Sequence, residues 1–335
     1  MSHMHAAAIN LRGGVSPRST RLRGQSIIEY VLIIAVIGLV IVFAGPGVAG
    51  AIRNQFNLVG NTVNNGTTAG VEGGGASGGG STGTGSATVQ AAVAKDAKDW
   101  TLDEQKAVAE DIAAKGEASP AYSKAKAAMD AGTKFTMKLT NGKTLTYRII
   151  GINHDDLADG SGKAGLTFLT TSTTIYSRMN AMNTNAGGWE KSELRQKMNS
   201  GEIWSLMPSD FQSKVKSVGK LTNNVGGGDA NKNAAVTATS DRLFLLSYSE
   251  IVPTSYWASD YPWSSSEGSQ YEAFIGKVTE NYFVSNSAIA IGQRWWGRSV
   301  NPINSANFLS VFGDGIPSNY YNAMRSCCVC PAWCF

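Results

Sequence analysis

Few residues in this chain are equipped for catalysis or metal binding. His154 is the one imidazole in its body, since His3 and His5 lie at the extreme N-terminus. Two-histidine acid–base machinery and His₂ or His₃ zinc sets are therefore excluded from the main chain. Asp155, Asp156 and Asp159 follow in a turn-rich run, His154-Asp-Asp-Leu-Ala-Asp-Gly-Ser-Gly. Three carboxylates there are candidate Ca²⁺ ligands, although the spacing is not that of an EF-hand, and acids in turns more often cap or solvate. His154 with Asp155 or Asp156 is the nearest approach to an acid–base pair, and no nucleophile stands at a readable spacing from it. All four cysteines (Cys327, Cys328, Cys330, Cys334) fall within the last nine residues. That run can be read as a zinc-thiolate set, as local disulfides in an oxidising compartment, or as positions free to vary. Adjacent zinc ligands are awkward, and a framework stapling the whole fold would space its cysteines along the chain.

The elements that position these residues begin with the bulk composition. The chain has 335 residues, 42% of them hydrophobic, only 16% charged, and a net charge of +4. Arg12, Arg18, Arg21 and Arg23 supply a basic N-terminal segment, and the remainder is close to neutral. A nucleic-acid partner has no electrostatic footprint here. An apolar run from Ile27 to Ala44, broken only by Glu29 and Tyr30, follows that basic flank. Eighteen residues at 1.5 Å rise give about 27 Å, near the hydrocarbon thickness of a bilayer. The basic flank predicts a cytoplasmic N-terminus with the rest emerging outside. A secretory signal would place its cleavage site after the apolar run, whereas here a carboxylate opens it.

The segment Arg23-Gly-Gln-Ser-Ile-Ile-Glu-Tyr30 resembles the class III signal of Flp (tight-adherence, type IVb) pilins. The resemblance covers roughly residues 21–64 and implies cleavage by a prepilin peptidase between Gly24 and Gln25. It further implies that Glu29 and Tyr30, the fifth and sixth mature residues, guide assembly with other pilin subunits after storage in the cytoplasmic membrane. Flp major pilins nearly end where this shaft ends, so a chain that continues to residue 335 is expected to be a minor or tip subunit of a cell-surface pilus. The competing reading is a membrane-anchored surface protein with a fixed-ligand or enzymatic head.

Beyond the shaft, residues 64–87 are Gly/Ser/Thr-rich and read as a flexible linker. Residues 88–132 read as a helical neck, with a capping box at Thr101–Glu104 and Pro120 opening a second helix that stops near Gly132. From Lys134 the period changes to two. Phe135, Met137 and Leu139 predict a strand, Asn141-Gly142 a type I′ turn, and Leu145, Tyr147 and Ile149 the return strand. A strand at 166–169, helices at 189–198 and 207–216, and a buried strand at 242–247 complete an α+β head over 133–335.

Several head segments resemble, in order, a domain of uncharacterised function common in surface proteins of gut bacteria. They are His154-Asp-Asp, Gly165-Leu-Thr-Phe, Gly188-Trp with Glu193-Leu-Arg, Leu206-Met-Pro-Ser-Asp, Asp241-Arg-Leu-Phe-Leu-Leu-Ser and Trp295-Trp-Gly-Arg-Ser299. Their final part is similar to the C-type-lectin fold of formylglycine-generating enzymes and retroelement-diversified receptors, although Gly297 stands where that pattern has leucine. The resemblance implies that Trp295, Trp296, Arg298 and Ser299 anchor the fold and that about 295–335 is a variable region. Residues 301–330 lack Lys, Glu, Gln and Trp and, Met324 apart, contain only residue types encoded by pyrimidine-ending codons, a signature of diversity-generating retroelements. An ordinary Asn/Ser-rich loop is the plainer alternative. On the first reading, ligand contacts are expected from Val300, Pro302, Ile303, Ser305, Ala306, Leu309, Ser310, Phe312, Asp314, Ile316, Ser318, Tyr320, Tyr321, Arg325, Ser326, Cys327 and Cys328, in a Tyr/Ser/Asn composition suited to binding surfaces. The whole reads as an adhesin for an extracellular protein or glycan, not an enzyme, with no cofactor motif.

Overall fold

The computed structural model describes residues 86–335, apart from 229, 230, 254, 280–282 and 318. Helix α1 (Ala87–Val93) leads to α2 (Leu102–Lys115), whose start is set by the expected capping box. The Glu104 amide donates to Thr101 Oγ1 at 3.2 Å, and the Thr101 amide donates to Glu104 Oε2 at 2.7 Å. Val108, Ala109 and Ile112 form the buried face of α2. Helix α3 (Tyr122–Asp130) follows Pro120 and closes the helical layer.

Strands β1 (Phe135–Lys138) and β2 (Thr144–Ile152) pair antiparallel with Phe135 opposite Tyr147. The turn between them differs from the type I′ expectation. Gly142 has φ +81°, but Asn141 does not share the left-handed region. The Gly142 amide donates to the Leu139 carbonyl, and the Leu139 amide to that of Lys143, so the loop is one residue longer than a two-residue hairpin. Strand β3 (Leu166–Thr170) pairs with β2, and the last strand of the chain, β11 (Ala332–Cys334), adds to its other side. One face of this sheet carries an aromatic core: Tyr147 meets Phe168 at 5.7 Å and Trp333 at 4.8 Å between ring centroids. Tyr147 also donates its hydroxyl to Gln105 of α2. Gly165 lies so close to α2 that a Cβ there would sit 1.8 Å from the Ala109 carbonyl oxygen.

A five-stranded sheet runs β4 (Tyr176–Ser177), β10 (Cys327–Cys328), β7 (Trp295–Val300), β8 (Asn307–Val311), β9 (Asn319–Asn322). Its β10–β7 pair is parallel and its other pairs are antiparallel. A hairpin of β5 (Val218–Asn223) and β6 (Val236–Asp241) forms the third sheet among the described residues. The expected strand at 242–247 is instead an irregular connector. Leu243 to Leu246 are fully buried, but Phe244 exchanges backbone bonds with Ala332 of β11, while the Arg298 amide of β7 donates to Leu246. Its hydrogen-bonding groups are divided between two sheets, so it continues neither. The 189–198 helix shortens to α4 (Glu193–Asn199), capped by Ser192, because the Trp189 indole is held outside it by Asp241. Two short helices follow, α5 (Glu202–Leu206) and α6 (Ser209–Gln212), the second within the expected 207–216 helix.

The expected architecture, a membrane helix, linker and helical neck carrying a lectin-like head, is corrected here. The described residues form a mixed α+β body built on these sheets, and among them no helix is long and apolar enough to cross a membrane. The longest described helix named above, α2, has 14 residues and carries charges along its outer face. Its alanine and valine face packs into the same core as the strands, so α1–α3 are a layer of the fold. The leader (1–24), shaft (25–63) and nearly all of the linker lie outside the described residues, and with them Gly24, Gln25, Glu29 and Tyr30.

Candidate functional site

Strand β7 is buried along its whole length and holds the expected Trp295-Trp-Gly-Arg-Ser element. The two indoles donate to carbonyls of neighbouring loops, Trp295 to Ile289 at 3.1 Å and Trp296 to Ser177 at 3.0 Å. The Arg298 guanidinium is completely enclosed, and all its nitrogens are used. It donates to both oxygens of Glu250, to Thr222 Oγ1 at 2.9 Å, and to the carbonyls of Leu245, Leu221 and Glu267. Lys220 then bridges Glu250 at 2.6 Å and Asp155 at 2.5 Å, so charges alternate through the centre of the body. Burial works against Asp155 ionising, yet Lys220 and His154 hold its pKa down at about 2. Burial likewise opposes Glu250, and Arg298 and Lys220 more than offset it. Glu267 differs: burial raises its pKa to about 7 despite hydrogen bonds from Ser299 and the Asn223 amide.

The outer end of the five-stranded sheet carries the expected contact positions. Ile303, Ser305, Asp314, Tyr320, Arg325 and Ser326 are exposed, and Ala306, Phe312, Ile316 and Tyr321 are half-buried. Val300, Pro302, Leu309, Ser310, Cys327 and Cys328 are buried, and Ser318 lies outside the described residues. Arg294 sits between the rings of Phe312 and Tyr321, its guanidinium carbon 4.4 Å from each centroid. Three loops are stitched together beside this cluster. The Met179 and Asn180 amides donate to Ala323, the Ala323 amide to Ala306, and the Asn185 amide to Ser305. Asn185, fully buried, also donates its side-chain amide to the Asn304 and Asn307 carbonyls at 2.8 Å. On the outside, Met182, Ile303, Tyr320 and Met324 are each at least half exposed.

Residues 164–334 match the sequence profile of the family described as a domain of unknown function (DUF6273). The chain belongs to the DUF6273 family. No curated protein and no solved structure matches it. The DUF6273 match spans strands β3 to β11, with Lys220, Glu250, Glu267 and Arg298, but leaves out β1, β2 and Asp155, which complete the same core.

Within the DUF6273 region all four cysteines are buried free thiols. Burial pushes Cys327 up to about 12 and raises Cys330 and Cys334 well above the ordinary thiol range. Cys334 belongs to β11, where it contacts Thr167 and Asp155, while Cys327 and Cys328 belong to β10 of the other sheet. Among the described residues no group of three or more His, Cys, Asp or Glu is placed to hold a metal ion. The calcium candidates separate for a clear reason. Asp155 turns inward to Lys220, whereas Asp156 pairs with Lys163 at 3.1 Å and Asp159 caps the Ser161 amide on the surface. His154 stacks on Tyr271 at 4.0 Å and bonds Glu272 at 3.0 Å. Lys220, Glu250, Glu267 and Asn185 went unread in sequence. Lys220 left one trace, as a cation between Val218 and Thr222 on the inward side of an alternating strand.

Proposed function

We propose that this protein is an adhesive minor subunit of a tight-adherence pilus, displayed at the cell surface, whose DUF6273 body binds an extracellular protein or glycan through the loops around β8 and β9. The observation that carries the reading is the stitched loop set. Exposed Ile303, Tyr320 and Met324, with Met182 beside them and Arg325 next in the chain, offer aromatic, apolar and cationic contacts on a rigid backbone. Clusters of that kind mark interaction surfaces more than they mark ordinary solvent-facing loops. The Gly24-Gln25 and Glu29-Tyr30 motif supports filament assembly as the means of display. Pyrimidine-codon composition over 301–330 supports diversification of the contact residues. Such variation would be confined to exposed positions, because emptying a buried site such as Leu309 costs about 2–5 kcal/mol.

The test is adhesion of cells producing the full chain, compared with an Ile303→Ser, Tyr320→Ser, Arg325→Ser triple variant at equal surface abundance. Retention on host-cell and mucin surfaces should fall at least about tenfold, since each anchor contributes on the order of 1 kcal/mol or more. Equal retention, or absence of the wild-type chain from the cell surface, overturns the proposal.

A further inference from the structure

The second face of the β1-β2-β3-β11 sheet holds an arginine of a different kind from Arg298. Tyr147 and Ile149 point to the aromatic core, so the pleat turns Arg148 to the opposite side. There it meets residues 287–291, and a cavity of about 320 Å³ opens between them. Arg148, Lys134, Leu169, Ala288, Ile289 and Trp295 are among its walls.

Among the described residues the Arg148 guanidinium makes one hydrogen bond, from Nη2 to the Ala288 carbonyl. Its Nε is enclosed and has no partner. Its other terminal nitrogen, Nη1, lies against Gly132, where an added Cβ would stand 3.4 Å away. Gly132 has φ +63°, a conformation that favours glycine and keeps the side chain off this flank. The Phe274 ring lies 5.6 Å from the guanidinium carbon. Among the described residues no acid offsets its partial burial, and that burial lowers the pKa of Arg148. An enclosed cation normally carries a carboxylate partner, as Arg298 does, because desolvating an unpaired charge costs several kcal/mol. Lys134 adds a second positive charge at the exposed wall of the cavity.

We infer that this cavity is an anion site that takes a small carboxylate, its oxygens received by the Arg148 fork and Lys134 and its apolar body set against Leu169 and Ile289. A guanidinium presents planar N–H groups that match the two oxygens of a carboxylate. The volume is at the low end for ligand pockets and suits a molecule of benzoate size. The site lies on β2 and the 287–291 segment, away from the loops of the adhesion proposal, and stands independently of it.

Titration of the full chain with sodium benzoate and sodium acetate, at constant ionic strength in sodium chloride, tests the inference by calorimetry. Saturable binding of benzoate, tighter than acetate, is expected. Arg148→Met should weaken it at least tenfold. Lys134→Glu changes only an exposed side chain and so keeps the fold; it should weaken binding about fivefold. Absence of saturable carboxylate binding to the wild type overturns the inference. So does unchanged affinity in Lys134→Glu or in a folded Arg148→Met, or binding of inorganic phosphate or sulfate in place of carboxylates.

Discussion

Arg298 and Arg148 are both strand residues, Arg298 fully buried and Arg148 half-buried with its Nε enclosed, and their surroundings differ. Arg298 has its nitrogens bonded to Glu250, Thr222 and three backbone carbonyls, and Lys220 and Asp155 extend the pattern. Arg148 has one carbonyl and an aromatic ring. A fully partnered buried charge ties elements together: the Arg298 network links β5, β7, the turn after β2 that carries Asp155, and the 245–267 segment. A poorly partnered one contributes little to the fold, and it is retained next to a cavity. The contrast separates charge used for architecture from charge free to meet a ligand.

The largest expected effect that breaks this comparison is Arg298→Met. It leaves Glu250 enclosed with half its partners removed and should lower stability by about 3–5 kcal/mol. Urea unfolding measures it. A loss below about 1 kcal/mol would mean that the network adds nothing to the fold.

A second effect belongs to Glu267, beside that network. Its pKa is raised from the ordinary 4.5 to about 7 in the folded protein. The native state therefore holds a proton that the unfolded chain has released between those values. The stability from this proton is complete below pH 4.5 and is lost as pH rises through 7, by up to about 3 kcal/mol. Glu267→Gln should flatten unfolding free energy between pH 4.5 and 6.5. A fall above pH 6.5 should persist, because burial lowers the His154 pKa but Glu272 and Asp155 raise it further. A wild-type profile already flat over that range would remove the Glu267 assignment.

The smallest effect sharpens the contrast. Arg148→Met removes one hydrogen bond and one unpaired charge, so stability should stay within about 1 kcal/mol of wild type or rise. Thermal unfolding in carboxylate-free buffer reads this directly. A loss comparable to that of Arg298→Met would make Arg148 another architectural charge.

Local pattern was legible wherever one segment supplies the whole reason for its structure. The α2 start needed only Thr101 and Glu104, and the β1–β2 alternation put Phe135, Met137, Leu145 and Tyr147 on the buried side. Where backbone partners come from elsewhere, the sequence misled. The apolar 242–247 run looks like a strand but divides its bonds between β7 and β11. Asp155, placed among turn acids by its neighbours in sequence, is drawn inward by Lys220, which lies 65 positions away. Half-hidden contact positions show the same limit. Val300 and Tyr320 are alike in composition-based reading, yet one is fully buried in β7 and the other is 52% exposed on an edge strand.

By itself, the sequence determined the capping box that opens α2 and the alternation of β1 and β2, because each depends on side-chain type and short spacing. Only the tertiary structure decided which charges are paired. Asp155, Lys220, Glu250 and Arg298 meet through β-sheet and connector packing, and among the described residues the same packing leaves Arg148 without an acid. Electrostatic partnership is a matter of distance in space, and in this chain the partners are separated by 30 to 65 residues along it.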